Sequence, residues 1–270
     1  MERKQGKRPG KFPAGRLDGL KERFRGAPPE EVLRFALTEY HPEIALASSF
    51  SKEDIVLIAM MSKIRPDARV FALDTGRLHE ETYQAAEAVS GKLGVRIEWY
   101  FPDRSAVEDL ERAKGLYSFR ESLENRHECC RIRKVEPLGR ALSGLRAWVT
   151  GQRREQGLTR ADLQEFEIDE AHGGILKLNP LAGWTGDQVE AYLLERGLPY
   201  NRLHDQGYPS IGCAPCTRAV APGEDPRAGR WWWERPEHKE CGLHARNSAE
   251  PGAGSGKGTD KGKGTGKGEK

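Results

Sequence analysis

Residues 44–63 read IALASSFSKEDIVLIAMMSK. Residues 44–50 are a strand candidate, Ser51 and Lys52 a polar turn, and residues 53–63 a helical run. The same succession recurs. Residues 69–74 (RVFALD) form the next strand and a helix follows from about 79 to 91; 95–101 (VRIEWYF) and 146–150 (RAWVT) are two further strands. Strands alternating with helices predict an α/β fold, a parallel doubly wound sheet flanked by helices. Such sheets seat their ligands at the carboxyl ends of the strands. The segments 49–53, 74–78 and 151–160 each follow a strand, so they are expected to converge. No long internal repeat or interdomain linker is evident.

The chain has 270 residues, 37% hydrophobic and 31% charged, enough for one good core with or without appendages. Its longest apolar stretch, residues 55–61, falls far short of the roughly 20 residues a membrane-spanning helix needs. No apolar segment follows the basic N-terminus, so no secretory signal is read and the expected location is the cytoplasm. Of the net charge of +3, residues 1–25 carry +6 and residues 247–270 carry +2, which leaves −5 between them. A general basic face for DNA or RNA is therefore not indicated. The Gly/Lys tail at 247–270 has too few apolar residues to fold and reads as disordered. Residues 1–25 read as a solvated basic arm, although Leu17, Leu20 and Phe24 have the spacing of a short amphipathic helix. Residues 26–246 are left as a single domain. Its C-terminal segment, about 219–246, has a Pro, Gly and charged composition at 221–229 that suits a mobile stretch.

The motifs carry more chemistry than the composition. Hydroxyls and free N–H groups in Ser48-Ser49-Phe50-Ser51-Lys52-Glu53-Asp54 suit an anion or a nucleotide's phosphate, or Ser51 simply caps the helix. The loop lacks the glycines of a Walker motif. Asp74-Thr75-Gly76 is either a turn or the wall of a nucleoside pocket. Five cysteines fall as Cys129-Cys130, Cys213-x-x-Cys216 and a lone Cys241. The first four match the ligand set of a [4Fe-4S] cluster or a structural zinc, and the contiguous pair tilts the choice toward iron and sulfur. Cys241, with His238 and His244 nearby, is a candidate nucleophile or an incidental surface thiol. Arg227 and Arg230 are suited to an anionic substrate or to a solvated face, and Trp231-Trp232-Trp233 to packing or a lid.

Six segments in order resemble one family: Ser49-Phe50-Ser51-x-Glu53-Asp54; Leu73-Asp74-Thr75-Gly76-Arg77; Glu128-Cys129-Cys130-Arg131-x-Arg133-Lys134-Val135-x-Pro137-Leu138; Thr150-Gly151-Gln152-Arg153-Arg154; Gly212-Cys213-x-x-Cys216-Thr217-Arg218; and Glu240-Cys241-Gly242-Leu243-His244. Together, over roughly residues 30–245, they resemble assimilatory adenylyl-sulfate (APS) reductases, the iron-sulfur branch of the phosphoadenylyl-sulfate (PAPS) reductase family. The resemblance implies an adenine-nucleotide alpha hydrolase-like fold and thioredoxin-dependent reduction of APS to sulfite and AMP, as in sulfate assimilation and cysteine biosynthesis. It implies Cys241 as the nucleophile that becomes an S-sulfonate, and Cys129, Cys130, Cys213 and Cys216 as ligands of a [4Fe-4S] cluster. It implies Lys134, Arg160, Arg227 and Arg230 as phosphosulfate-binding cations, and Ser49, Ser51, Leu73 and Gly151 as the seat of the adenosine and its phosphate. Members of the family often form homodimers or homotetramers.

The residue chemistry agrees with that transfer. A thiolate approaching a phosphosulfate meets two anionic groups, so converging cations are needed to offset repulsion. With four cysteines given to a cluster, Cys241 has no resolving thiol in its own chain, and an external dithiol protein such as a thioredoxin must release sulfite. The thiol chemistry supplies both electrons, so an electrostatic role is expected of the cluster. The segment 151–160 is one residue shorter than the family's usual loop, and the tail beyond His244 lies outside the pattern. Rival readings are a PAPS reductase or dual activity, an ATP pyrophosphatase-type enzyme lacking its glycine-rich loop, and a non-enzymatic four-cysteine module.

Overall fold

The computed structural model describes residues 10–157 and 160–235. Cys241, His238, His244, the tail at 247–270 and the first nine residues lie outside them. In chain order the elements are helices α1 (Ala14–Arg23) and α2 (Pro29–Tyr40), strand β1 (Ile44–Ser48), α3 (Lys52–Ile64), β2 (Arg69–Leu73), α4 (Glu80–Leu93) and β3 (Ile97–Tyr100). They continue with α5 (Arg104–Lys114), α6 (Leu123–Cys130), α7 (Glu136–Leu142), β4 (Ala147–Val149), β5 (Phe166–Asp169), β6 (Ile175–Leu178) and α8 (Gly186–Glu195). A π-helical turn, Arg131–Val135, joins α6 to α7.

The strands form one sheet in the order β3-β2-β1-β4-β6-β5. All neighbours are parallel except β5, which runs antiparallel to β6. The expected doubly wound sheet is therefore present, with one correction: its last edge is a hairpin. Sequence reading placed no strand there, because FEID and ILKL are short and a lysine sits in the middle of the second. The hairpin closes through Gly173 and Gly174, both at positive φ.

Both faces are covered. One packs Leu33, Leu46, Ile58, Val70, Val89 and Leu176 into the larger core, and the other packs Phe71, Leu138, Leu142 and Trp148 into the smaller one. A second correction concerns the N-terminal arm. Leu20 and Phe24 are buried in the larger core, and the Phe24 ring lies 5.0 Å from Phe35 and 5.6 Å from Phe166. The amphipathic spacing thus prevails over the net charge of this segment, because a docked apolar face outweighs lysines and arginines that remain in water.

The chain leaves β1 toward β2 on one side and β4 lies on the other, so the sheet's order reverses between β1 and β4. This is the switch point, where diverging loops open a crevice beyond the strands' carboxyl ends. Two local devices shape it. Phe50, buried and at φ +57°, ends β1 two residues earlier than expected. Ser51 then caps α3, its hydroxyl accepting from the Asp54 amide at 3.3 Å.

Candidate functional site

A cavity of about 540 Å3 opens at the switch point. The three strand-following segments do converge on it: Ser49, Phe50 and Ser51 from the first, Thr75 and Leu78 from the second, and Gly151, Gln152, Arg153, Gln156 and Arg160 from the third. Leu73, Lys134, Arg227 and Arg230 also line it. All eight residues expected to contact substrate therefore border one volume, the size of a nucleotide pocket.

The loop after β1 is organised from within. Oδ2 of Asp54 accepts from the Ser49 amide at 2.7 Å, the Ser49 hydroxyl at 2.9 Å and the Ser51 amide at 3.4 Å. Burial pushes this carboxyl up to about 6, against the pull of its Ser49 and Ser51 donors. Donors that would cradle a pyrophosphate in a glycine-rich loop are thus occupied by the protein's own carboxylate. Gly151 sits against the same group, where a Cβ would run into Oδ1 of Asp54 and lie 3.2 Å from its amide nitrogen. Close approach, rather than an unusual φ, requires glycine there. Beside it, buried Arg153 donates from Nε to Glu53 at 2.8 Å and ties the loop after β4 to α3.

The loop after β2 bridges to the cysteines. Asp74 accepts from the Gly76 amide at 2.7 Å and the Tyr83 hydroxyl at 3.0 Å, closing a turn with Gly76 at φ +69°. Nη1 of Arg133 donates to the Thr75 carbonyl at 2.7 Å, and the Thr75 hydroxyl lies 3.3 Å from Sγ of Cys213.

Cys129, Cys130, Cys213 and Cys216 line one small cavity together with Arg77, Arg126, Arg133, Lys134, Arg230 and Trp231. The pairs arrive from the end of α6 and from a short 3-10 turn, Ala214–Cys216. None of the four is disulfide-bonded. Burial raises the Cys129 thiol, with Arg133 and Arg77 opposing it, and burial with the neighbouring Cys213 pushes Cys216 up to about 12. As bare thiols, Cys129 and Cys216 are therefore held in the protonated form at neutral pH. Among the described residues no three Cys, His, Asp or Glu side chains gather at one point suited to a single ion. A [4Fe-4S] cluster makes a different demand, four thiolates around a shared volume with each on its own iron. The donor set and its ring of cations fit that demand, since the cations would balance an anionic cluster.

Lys134 and Arg230 line both cavities, so the two sites share cations. Sequence reading singled out both residues without revealing this sharing. It also passed over Arg77, Arg126, Arg133 and Gln152 as individual contributors. Only the proximity of Arg133 and Gln152 to the cysteine pair and to the end of β4 hinted at them. Arg126 is buried and donates to both oxygens of Glu234, at 2.9 and 2.8 Å, while the Trp231 ring lies 4.7 Å from the guanidinium carbons of Arg126 and Arg230. The tryptophan expected as packing or a lid is packing. Residues 217–230 form a closed loop, with Thr217 bridged to Arg230 and Arg218 paired to Glu224 at 3.0 Å.

Fold and site define a nucleotide-binding α/β protein whose pocket adjoins a four-cysteine cavity. Residues 43–219 match the phosphoadenosine phosphosulfate reductase domain, and the chain belongs to that family. It is 53% identical over 206 residues to an adenosine 5'-phosphosulfate reductase of Allochromatium vinosum, covering 76% of this chain and 80% of that one. A protein of the same name from Burkholderia cepacia is 53% identical over 215 residues, covering 79% and 85%. Among solved structures, a phosphoadenylyl-sulfate (PAPS) reductase from Candida auris in complex with phosphate superposes with a TM-score of 0.67 at 29% identity, over 77% of this chain and 98% of that one. Among the described residues no helix is long and apolar enough to cross a membrane.

Proposed function

We propose that the chain reduces adenylyl sulfate to sulfite and AMP. The observation that carries this reading is a nucleotide-sized pocket ringed by Lys134, Arg160, Arg227 and Arg230 that shares two of those cations with a four-thiol cavity. The names of the bacterial relatives support APS as the substrate. In this reading Ser49, Ser51, Leu73 and Gly151 seat the adenosine and its phosphate, and the four cations receive the phosphosulfate. Cys129, Cys130, Cys213 and Cys216 hold a [4Fe-4S] cluster. When bound, it supplies a compact charged centre that orders the neighbouring cations.

The Cys241 thiolate attacks the sulfuryl sulfur. An S–S bond forms, the bond from sulfur to the bridging oxygen breaks, and AMP departs with that electron pair while the cations stabilise it. A Cys241 S-sulfonate remains. Glu234 is anchored to Arg126 beside the cysteine cavity, so a thiol seven residues further along the chain reaches at most about 25 Å from it. With five cysteines in the chain and four given to the cluster, the two electrons come from an external dithiol such as thioredoxin. Its thiolate attacks Cys241 Sγ and expels sulfite, and its second thiol resolves the mixed disulfide.

The test is an intact mass of anaerobically purified protein after incubation with APS, and separately with PAPS, without reductant. A sulfonate adduct with APS that a dithiol removes and Cys241→Ser lacks is the expected result. The Candida auris relative gives the PAPS arm its weight, and an adduct with PAPS alone would move the assignment there. No adduct from either, in protein with a sound cluster absorbance, overturns the reading.

A further inference from the structure

Lys177 lies in the middle of β6 between two core leucines, yet it is a buried lysine on a strand of a sheet covered on both faces. Its ammonium donates to Oε1 of Gln152 at 2.8 Å and to Oε2 of Glu167 at 3.3 Å, and lies 5.8 Å from the ring centroid of Trp148, another pocket residue. Around it, Asn179 donates to Glu167 at 3.0 Å and to the Gln164 carbonyl at 2.8 Å, and the Thr150 hydroxyl donates to Asn179 at 2.6 Å.

An ammonium only donates, so the amide oxygen of Gln152 must be the atom that faces Lys177. The Gln152 amide nitrogen therefore points the other way. Among the described residues it has no hydrogen-bond partner, although Gln152 is only 5% exposed and borders the nucleotide pocket. Two N–H donors, oriented by a buried charge and open to the cavity, are thereby held ready for an acceptor that fills it. Arg160 borders the same cavity as Gln152, so the donors share the pocket with one of its cations.

We propose that Gln152 donates a hydrogen bond to an anionic oxygen of the phosphosulfate, and that Lys177 is the positioning residue that turns its amide toward the substrate. This rests on the reductase reading and adds to it a neutral donor, aimed by a cation that does not itself touch substrate.

Calorimetric binding of APS, AMP and adenosine to the full-length Cys241→Ser protein, in which sulfur transfer is blocked, tests it. Gln152→Glu keeps the shape and the contact with Lys177 but loses both donors, and Gln152→Leu loses both donors without adding charge. Each is expected to weaken APS binding roughly ten- to hundredfold and leave adenosine binding unchanged. Normal APS binding by Gln152→Leu would overturn the proposal alone. Equal losses for adenosine and APS would also overturn it, by moving the contact to the nucleoside. Failure of the parent to bind APS would overturn the reductase reading as well.

For Lys177, a double-mutant cycle decides. Lys177→Met is expected to weaken APS binding in the parent and to add nothing in the Gln152→Leu background. Should Lys177→Met fold poorly, Lys177→Met/Glu167→Gln makes the same comparison. Additive losses would make Lys177 an independent electrostatic contributor and overturn its positioning role.

Discussion

Asp54 is the residue whose environment departs furthest from what its position in the sequence suggests. It is a first-turn helix residue, yet it is buried and serves as the internal acceptor for the loop after β1. Its carboxyl is raised to about 6, so between its unfolded value near 4 and that point the folded chain binds more protons than the unfolded one. This group alone makes stability fall as pH rises from about 4 to about 6, by on the order of 2–3 kcal/mol, and leaves it flat above. Asp54→Asn is expected to remove that part of the slope, read as a smaller change in the urea midpoint between pH 4.5 and 7. An unchanged profile would place the titration elsewhere. At Gly151 the constraint is steric. Gly151→Ala is expected to cost about 1–3 kcal/mol and to weaken AMP binding, because the added methyl displaces the Asp54 carboxylate; thermal melting and calorimetry check the two effects.

At the scale of elements, α6 and α1 show how distant segments complete one another. Helix α6 carries two of the four cysteines at its end and, one turn earlier, buried Arg126, whose charge is balanced by Glu234 more than a hundred residues away. That ion pair anchors the chain beside the cysteine cavity shortly before Cys241. Glu234→Ala is expected to cost about 3–5 kcal/mol by removing the carboxylate that balances the buried guanidinium. Under the proposed function it also slows formation of the S-sulfonate; a melting temperature and adduct rate equal to the parent's would count against the anchor. Helix α1 is held by Phe24 between Phe35 and Phe166. Phe24→Ala is expected to destabilise by about 3–5 kcal/mol in chemical unfolding, whereas a solvated arm would show almost no change.

Across the whole molecule, the sheet's reversal at β1 and β4 places the nucleotide pocket, and the turn after β2 links it to the cysteine cavity. The shared cations make the two sites electrostatically dependent, whereas Arg227 lines the nucleotide pocket alone. Under the proposed function, Lys134→Ala is expected to weaken APS binding and also to alter the cluster's visible absorption. Arg227→Ala is expected to weaken binding with the absorption intact. Identical spectra for the two variants would argue against coupling through Lys134.

The alternation of residues 44–101 was enough to read a parallel α/β sheet, and loops after strands were enough to read where a ligand sits, because both are written in contiguous residues. The Cys129-Cys130 and Cys213-x-x-Cys216 pairs and the ordered motifs were legible for the same reason. The β5–β6 hairpin was not, since its strands are short and Lys177 breaks the apolar run, its partners Gln152 and Glu167 being brought beside it only by the fold. Nor was the burial of Phe24, which depends on a surface built by Phe35 and Phe166. The amino-acid sequence by itself determined the class of fold, the inventory of thiols and cations and the family, because periodicity, spacing and motif order are local properties. Only the tertiary structure decided which cations serve two cavities, which carboxylate fills the loop after β1 and which amide faces the pocket, because those outcomes depend on distances between residues far apart in the chain.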